Sequence, residues 1–324
     1  MNFHQLTHRL CQSAALWMLA LPVAMAQAFP AKPIRLIVPF PAGGGTDVIA
    51  RALGDGLSKE LGQPVIVDNR PGAGTVIGND AAAKSNPDGH TLLLNTSAVA
   101  IVPSLYAKLP YAADALAPVM LLGRTPNVAV VRPDSPLKSA ADFLAQARAR
   151  PGKLSYGSAG NGTSTHLAAE LLKAHARIFV THVPYRGASP VVTDLLAGQI
   201  DVAFATLPSA APFIASGKLR PLAQTGATRS PLLANVVTFS EAGARGYGTE
   251  VWYGIFTPAG TPPAVVQQLY AALQKAAAGE KFAARAAAEG LTLTLDGPEE
   301  AARVVQSEVR KWRQVVKEQG IRMD

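Results

Sequence analysis

The sequence predicts an α/β fold in two domains joined by crossing hinge segments. Three observations carry it. A strand, a small-residue loop, a helix and another strand follow one another within the first hundred residues. The same order returns near residue 150. Two extended passages, near residues 122–130 and 245–252, link the halves. Two passages restrain relative motion to opening and closing, where one flexible linker would not. At 324 residues, 48% hydrophobic and 16% charged, the chain can bury two cores and is too apolar to be disordered. One cysteine rules out a disulfide scaffold.

Residues 1–28 read as a secretory signal. Arg9 precedes an apolar run from Ala14 to Met25, and Ala26-Gln27-Ala28 offers a small-x-small cleavage site. The run is too short for a membrane span, which needs about 20 residues. Cleavage there removes Cys11, the only thiol, which fits export to an oxidising space. The mature domains then comprise residues 29–125 with 250–324, and residues 126–249.

Ile34–Phe40 is a strand by its apolar run, and the Gly43-Gly44-Gly45 loop leads into a helix from Asp47 to Leu61. Pro64–Val67 is the next strand. A second glycine loop, Pro71–Gly74, opens a helix from Thr75 to Lys84, and Asn86–Gly89 turns the chain into a strand at Thr91–Asn95. After the extended stretch 119–132 come a helix at 139–150, stopped by Pro151-Gly152, and a strand at 154–157. A small-residue loop at 158–163 precedes a helix at 164–175. A strand at 179–183, a helix at 190–197, and strands at 202–205 and 220–225 follow. Val251–Phe256 returns the chain to the first domain, and helices at 263–277 and 298–318 complete it.

Three loops, Ala42–Asp47, Gly72–Thr75 and Ser158–Thr163, share one chemistry. Each sets small residues ahead of a helix whose first amides have no partner inside the helix. Glycine lets backbone approach a ligand, and the helix dipole favours an anion there. One such loop alone reads as a turn and a cap. Three at matching positions, meeting at the carboxyl ends of the strands, read as a binding cleft. Asp47 in a first turn is either a capping carboxylate or a ligand contact, and Thr46, Thr75 and Thr163 carry the same double reading. Trp252 and Tyr253 read as core residues of the returning strand, with ring stacking on a ligand as the alternative.

Other chemistries fit poorly. No lysine follows Gly43–Gly45 as a phosphate loop requires, and Val48 stands where a dinucleotide fold needs its third glycine. Tyr156 stands where a nucleophile elbow needs glycine. His166 and Glu170 do not form H-E-x-x-H, and His90, His175 and His182 show no metal-ligand spacing. The formal charge of +8 is scattered, without the basic stripe and interleaved aromatics of a nucleic-acid surface. No cofactor, metal or nucleic acid is expected.

Five ordered motifs resemble the solute-binding proteins of tripartite tricarboxylate transporters, also called the Bordetella uptake gene family. They are Val38-Pro-Phe-Pro-Ala-Gly-Gly-Gly-Thr-Asp47, Val67-Asp-Asn-Arg-Pro-Gly-Ala-Gly74, Pro87-Asp-Gly-His-Thr-Leu92, Pro151-Gly-Lys-Leu-Ser-Tyr-Gly-Ser158 and His182-Val-Pro-Tyr-Arg-Gly187. The resemblance spans the mature chain. It implies a periplasmic binding protein of type II, a Venus flytrap, that captures a small organic anion and delivers it to separate membrane components. It implies ligand contacts from Phe40, Pro41, Ala42, Gly45, Thr46 and Asp47, and from Gly72, Ala73, Gly74 and Thr75. From the second domain it implies Ser158, Ala159, Gly160, Asn161 and Gly162, then Tyr185, Arg186, Gly187 and Ala188, with Asp201 near the cleft. A monomeric binding protein rather than an enzyme is expected. A sensor docking on a membrane receptor shares this fold, and a hydrolase or nucleotide-binding enzyme is the remoter alternative. Which carboxylate is bound stays open at this level.

Overall fold

The computed structural model describes residues 29–319 and 321. The signal read at residues 1–28 lies outside the described residues.

Two α/β lobes share one long strand. In the first lobe β1 (Ile34–Val38) lies between β2 (Val65–Asn69) and β3 (Thr91–Thr96), all parallel. Then β3 pairs antiparallel with β9 (Glu250–Pro258). In the second lobe β5 (Ser155–Ser158) lies between β6 (Thr181–Pro184) and β7 (Val202–Thr206), again parallel. The strand common to both lobes is β4 (Leu116–Val131), with 16 residues. Its first part, to Pro126, pairs with β9; from Asn127 its partners are β7 and β8 (Arg220–Gln224). A strand about three times the usual length therefore carries the chain from one lobe to the other.

Thr225 ties this crossing to the return crossing. Its Oγ1 accepts from the Asn127 amide at 2.9 Å and donates to the Thr249 carbonyl at 2.8 Å. The Thr225 hydroxyl is thus fully used where burial would otherwise make it costly.

Parallel strands buried on both faces need apolar residues at successive positions. Accordingly Ile34, Leu36 and Val38 pack on Ile49, Leu53 and Leu57 of α1 (Gly45–Leu61). Ile37 faces the other way, with Leu93, Trp252 and Phe256. The second lobe repeats this. Val131, Tyr156 and Phe204 meet Phe143 of α4 (Ala140–Ala149) and Leu172 of α5 (Ser164–Ala176) on one face. Val128, Val130 and Ala203 meet Val191 and Leu195 of α6 (Ala188–Leu196), and Leu207 of α7 (Leu207–Ala215), on the other. Trp252 and Tyr253 are core residues, as read from the sequence.

Four further α-helices precede the last one. They are α2 (Val76–Ala83), α3 (Ala98–Ile101), α8 (Pro263–Ala278) and α9 (Glu280–Ala288). The edge strand β10 (Thr292–Asp296) pairs antiparallel with β4. Last comes α10 (Pro298–Gln319), whose Ala301 joins the first-lobe core. Its Trp312 packs with Ile101, Leu105 and also Leu167, a residue of α5 in the second lobe.

Candidate functional site

The carboxyl ends of the strands in both lobes turn toward one cleft. The outer part has a volume of about 390 Å³ and runs between the loops after β1 and β2 and the loops after β5 and β6. A narrower inner part adjoins it through Phe40, Pro41, Ala159 and Thr163. The inner wall is rich in hydroxyls, from Thr46, Thr96, Ser164, Thr165, Thr206 and Ser209. Among the described residues lining either part, Arg186 is the only charged one. Residues of the first turns of α1, α5, α6 and α7 line the inner part. Helix starts bring partly positive amides to a site without spending a side-chain cation.

The loop after β1 is held from behind by Asp47. Its Oδ2 accepts from the Gly43 amide and from Arg51 Nε, both at 2.9 Å, and its Oδ1 accepts from Asn69 Nδ2 at 3.0 Å. Asn69 also donates to the Phe40 carbonyl at 3.0 Å. Burial opposes the charge, but the hydrogen bonds from Arg51, Gly43 and Asn69 outweigh it and hold the carboxyl below its ordinary value. A carboxyl depressed in the folded state stabilises fully above its unfolded value, and that stabilisation is lost as pH falls through the folded value. Asp47→Ala is therefore expected to lose about 2–3 kcal/mol at neutral pH. In urea unfolding, the gap to the parent protein should narrow as pH falls below the ordinary carboxyl value. A gap independent of pH would mean that the ionised carboxylate is not its source.

The loop after β2 is strained. Gly72, Ala73, Gly74 and Thr75 have φ of 130°, 46°, 59° and 88°. For Ala73 and Thr75 such values cost roughly 1–3 kcal/mol each, a cost typical of ligand clamps. Tyr106 holds the loop by donating to the Ala73 carbonyl at 3.1 Å.

In the second lobe the Gly160 amide donates to Ser158 Oγ at 3.2 Å, and the Gly162 amide to His166 Nδ1 at 3.2 Å. Ser158 Oγ shares a hydrogen bond of 2.7 Å with His182 Nε2. The last loop docks on this one, as the Tyr185 and Gly187 amides donate to the Ser158 and Ala159 carbonyls, both at 3.1 Å. The two imidazoles stack with centroids 4.3 Å apart. Burial, with Lys173 nearby, pushes His166 down to about 4. Burial, then the neighbouring His166, push His182 down to about 3, although Glu170 pulls the other way. Both rings are therefore neutral near pH 7.

The lobes touch across the cleft at glycines. The Gly45 amide donates to Ser209 Oγ at 3.3 Å. A Cβ on Gly187 would lie 2.5 Å from Pro41 Cδ, and one on Gly74 would collide with the Asn161 carbonyl oxygen. Side chains at these points would hold the lobes apart.

Of the residues expected at the site, Phe40, Pro41, Gly45 and Thr46 line the cleft, as do Gly72 through Thr75. So do Ala159, Gly160, Asn161, Tyr185, Arg186, Gly187 and Ala188. Five do not. Ala42 is exposed outside it. Asp47, Ser158 and Gly162 support loops from behind, their polar groups engaged as described. Asp201 is the clearest correction. It precedes β7 and accepts from the Ser155 amide and Oγ at 2.8 and 2.9 Å. That is the wrong end of the strand, roughly 17 Å from Thr206 by strand rise, and it borders a separate depression with Arg132 and Gly198. Residues not assigned from the sequence include Thr96, Tyr106, Phe204 and Ser209. Thr96 ends β3, so the carboxyl-end rule applied to every strand would have found it.

Among the described residues no group of three or more His, Cys, Asp or Glu is placed to hold a metal ion. The model of the tripartite tricarboxylate transporter family receptor matches residues 49–321. The chain belongs to that family. The receptor is 38% identical to Protein BugT of Bordetella pertussis over 94% of each chain. It superposes on the periplasmic binding protein BugD with a TM-score of 0.87, at 31% identity, covering 91% of this chain and all of that one. An R. palustris protein solved with adipate gives a TM-score of 0.86 at 33% identity, covering 90% and 98%. The receptor is a periplasmic solute-binding protein of the type II fold that delivers a small carboxylate to the membrane part of a tripartite tricarboxylate transporter.

Proposed function

We propose that the receptor grips one carboxylate mainly through backbone amides, at the strained loop 72–75 and the helix starts facing it. The loops after β1, β5 and β6 close over the ligand. The observation that carries this reading is the cleft's lining, where amides and hydroxyls abound and Arg186 is the one charged residue described. The adipate held by the R. palustris relative supports a linear dicarboxylate as first probe. Residues 29–125 with 250–324, and 126–249, act as the two bodies, turning about β4 and the segment near residue 249. The receptor works as a monomer, exported through the signal at residues 1–28.

Binding without turnover is part of the proposal. Ser158 and His182 have the spacing of a nucleophile and its base. Ser158 is fully buried, however, and its Oγ already accepts from Gly160. The test is isothermal titration of unfolded and refolded protein with adipate, succinate and hexanoate, with small-angle scattering at saturation. One-to-one adipate binding with a smaller radius of gyration is expected. Binding with an unchanged radius would argue against closure. Adipate consumed catalytically, with the loss abolished in Ser158→Ala, would overturn the binding-only reading.

A further inference from the structure

We propose that His166 and His182 are positioning residues for ligand capture, two stacked imidazoles that hold the loop 158–163 in its anion-gripping shape without touching the anion. The proposal rests on the binding reading given above and deepens it.

The two rings lie behind the loop, and neither lines the cleft. His166 is 5% exposed. Its Nδ1 accepts from the Gly162 amide, so that nitrogen carries no proton and Nε2 does. Nε2 faces Glu170 Oε1 at 4.0 Å. His182 reaches the other end of the loop, where its Nε2 meets Ser158 Oγ, the acceptor for the Gly160 amide. The loop is thus pinned at Gly160 and at Gly162, leaving Asn161 between them at the cleft, where its carbonyl opposes Gly74.

The rings are themselves held. His182 lies between His166, at 4.3 Å, and the Tyr156 ring, at 4.7 Å. Tyr156 donates to Glu170 at 2.6 Å, and Lys173 pairs with the same carboxylate at 2.8 Å. Glu170, Lys173 and Tyr156 are the titratable groups facing the pair. This is an expensive arrangement for turning a chain, because two imidazoles are buried, and His166 must stay neutral to accept. It secures the direction of amides, on which charge-assisted hydrogen bonds depend. A protonated His166 would present a donor to the Gly162 donor and break the pin.

The experiment compares His166→Asn, whose amide oxygen can replace Nδ1 as acceptor, with His166→Leu, which cannot accept. His182→Gln and His182→Leu form the second pair. Adipate affinity is read by titration calorimetry and stability by thermal unfolding. Hydrogen exchange of the Gly160 and Gly162 amides is read without ligand. The leucine variants should bind adipate about tenfold more weakly, the worth of roughly one buried hydrogen bond. The polar variants should stay within about threefold of the parent. Gly162 exchange should quicken in His166→Leu and not in His166→Asn. Equal affinity in all four, or equal loss in polar and leucine variants, would overturn the proposal, as would affinity that follows melting temperature alone. If the parent does not bind adipate, the ligand reading fails, while unchanged Gly162 exchange in His166→Leu would independently overturn the positioning role.

Discussion

Gly74→Val is expected to fold and to bind adipate about a hundredfold more weakly or worse, a loss of roughly 3 kcal/mol. Two effects add. At φ 59° a β-branched residue is strained, so the amides of the loop after β2 lose their direction. In the closed form the new Cβ also meets the Asn161 carbonyl of the facing lobe. With the lobes apart that clash vanishes, so the fold survives while closure does not. Gly74→Ala carries the clash with less strain and should fall between the two. Arg70→Ala is the control. Its side chain pairs with Asp68 at 2.8 Å and does not line the cleft. A loss of only a few-fold is expected, on the scale of an exposed ion pair. Calorimetric titration, after circular dichroism confirms folding, decides. Binding abolished by Arg70→Ala and kept by Gly74→Val would mean that a side-chain cation holds the anion.

Trp312→Ala should cost about 3–5 kcal/mol of folding stability, the usual range for emptying a large buried site. Trp312 is 2% exposed, and its Nε1 donates to Glu308 at 2.8 Å. What sets it apart is its company, since Ile101 and Leu105 belong to the first lobe and Leu167 to the second. The last turns of α10 therefore form an apolar contact that spans the lobes at a distance from β4. Removing the indole should lower stability in urea and also enlarge the unliganded protein in solution scattering. A stability loss below about 1 kcal/mol would show that the site collapses to fill itself. An unchanged radius would show that the contact does not hold the lobes together.

Much of the fold was legible because its signals are local. Apolar runs bounded by glycine loops marked β1 to β3 and β5 to β7, and Pro151-Gly152 marked the end of α4. Three helices, the single-turn α3 among them, and one strand escaped. In α7, Pro212 masks the helix, since an interior proline removes a donor and crowds the preceding turn, whereas Pro208 sits in the first turn where proline is tolerated. Burial of Leu207, Ala210 and Ala211 overrides that preference. The alanine-rich α9 follows α8 after Gly279 alone, too short a break to mark a new element. For β10, Thr292-Leu-Thr-Leu-Asp296 alternates as a strand should. Its partner is 170 residues away in sequence, Leu293 beside Gly123, and only the fold supplies it.

By itself the sequence determined that small-residue loops precede helices at the carboxyl ends of strands, and hence that an anion would be met by amides. Spacing and residue type suffice for that, because amide direction at a helix start is set within a few residues. Only the tertiary structure decided which members of those motifs reach the cleft. Asp47 and Ser158 turn behind their loops to hold them, Asp201 lies at the far end of its strand, and Ser209 meets Gly45 from the opposite lobe. The reason is physical. A motif specifies its own backbone, whereas the side of a loop that a group faces depends on what packs against it. For this receptor, that includes a second lobe more than a hundred residues away in the chain.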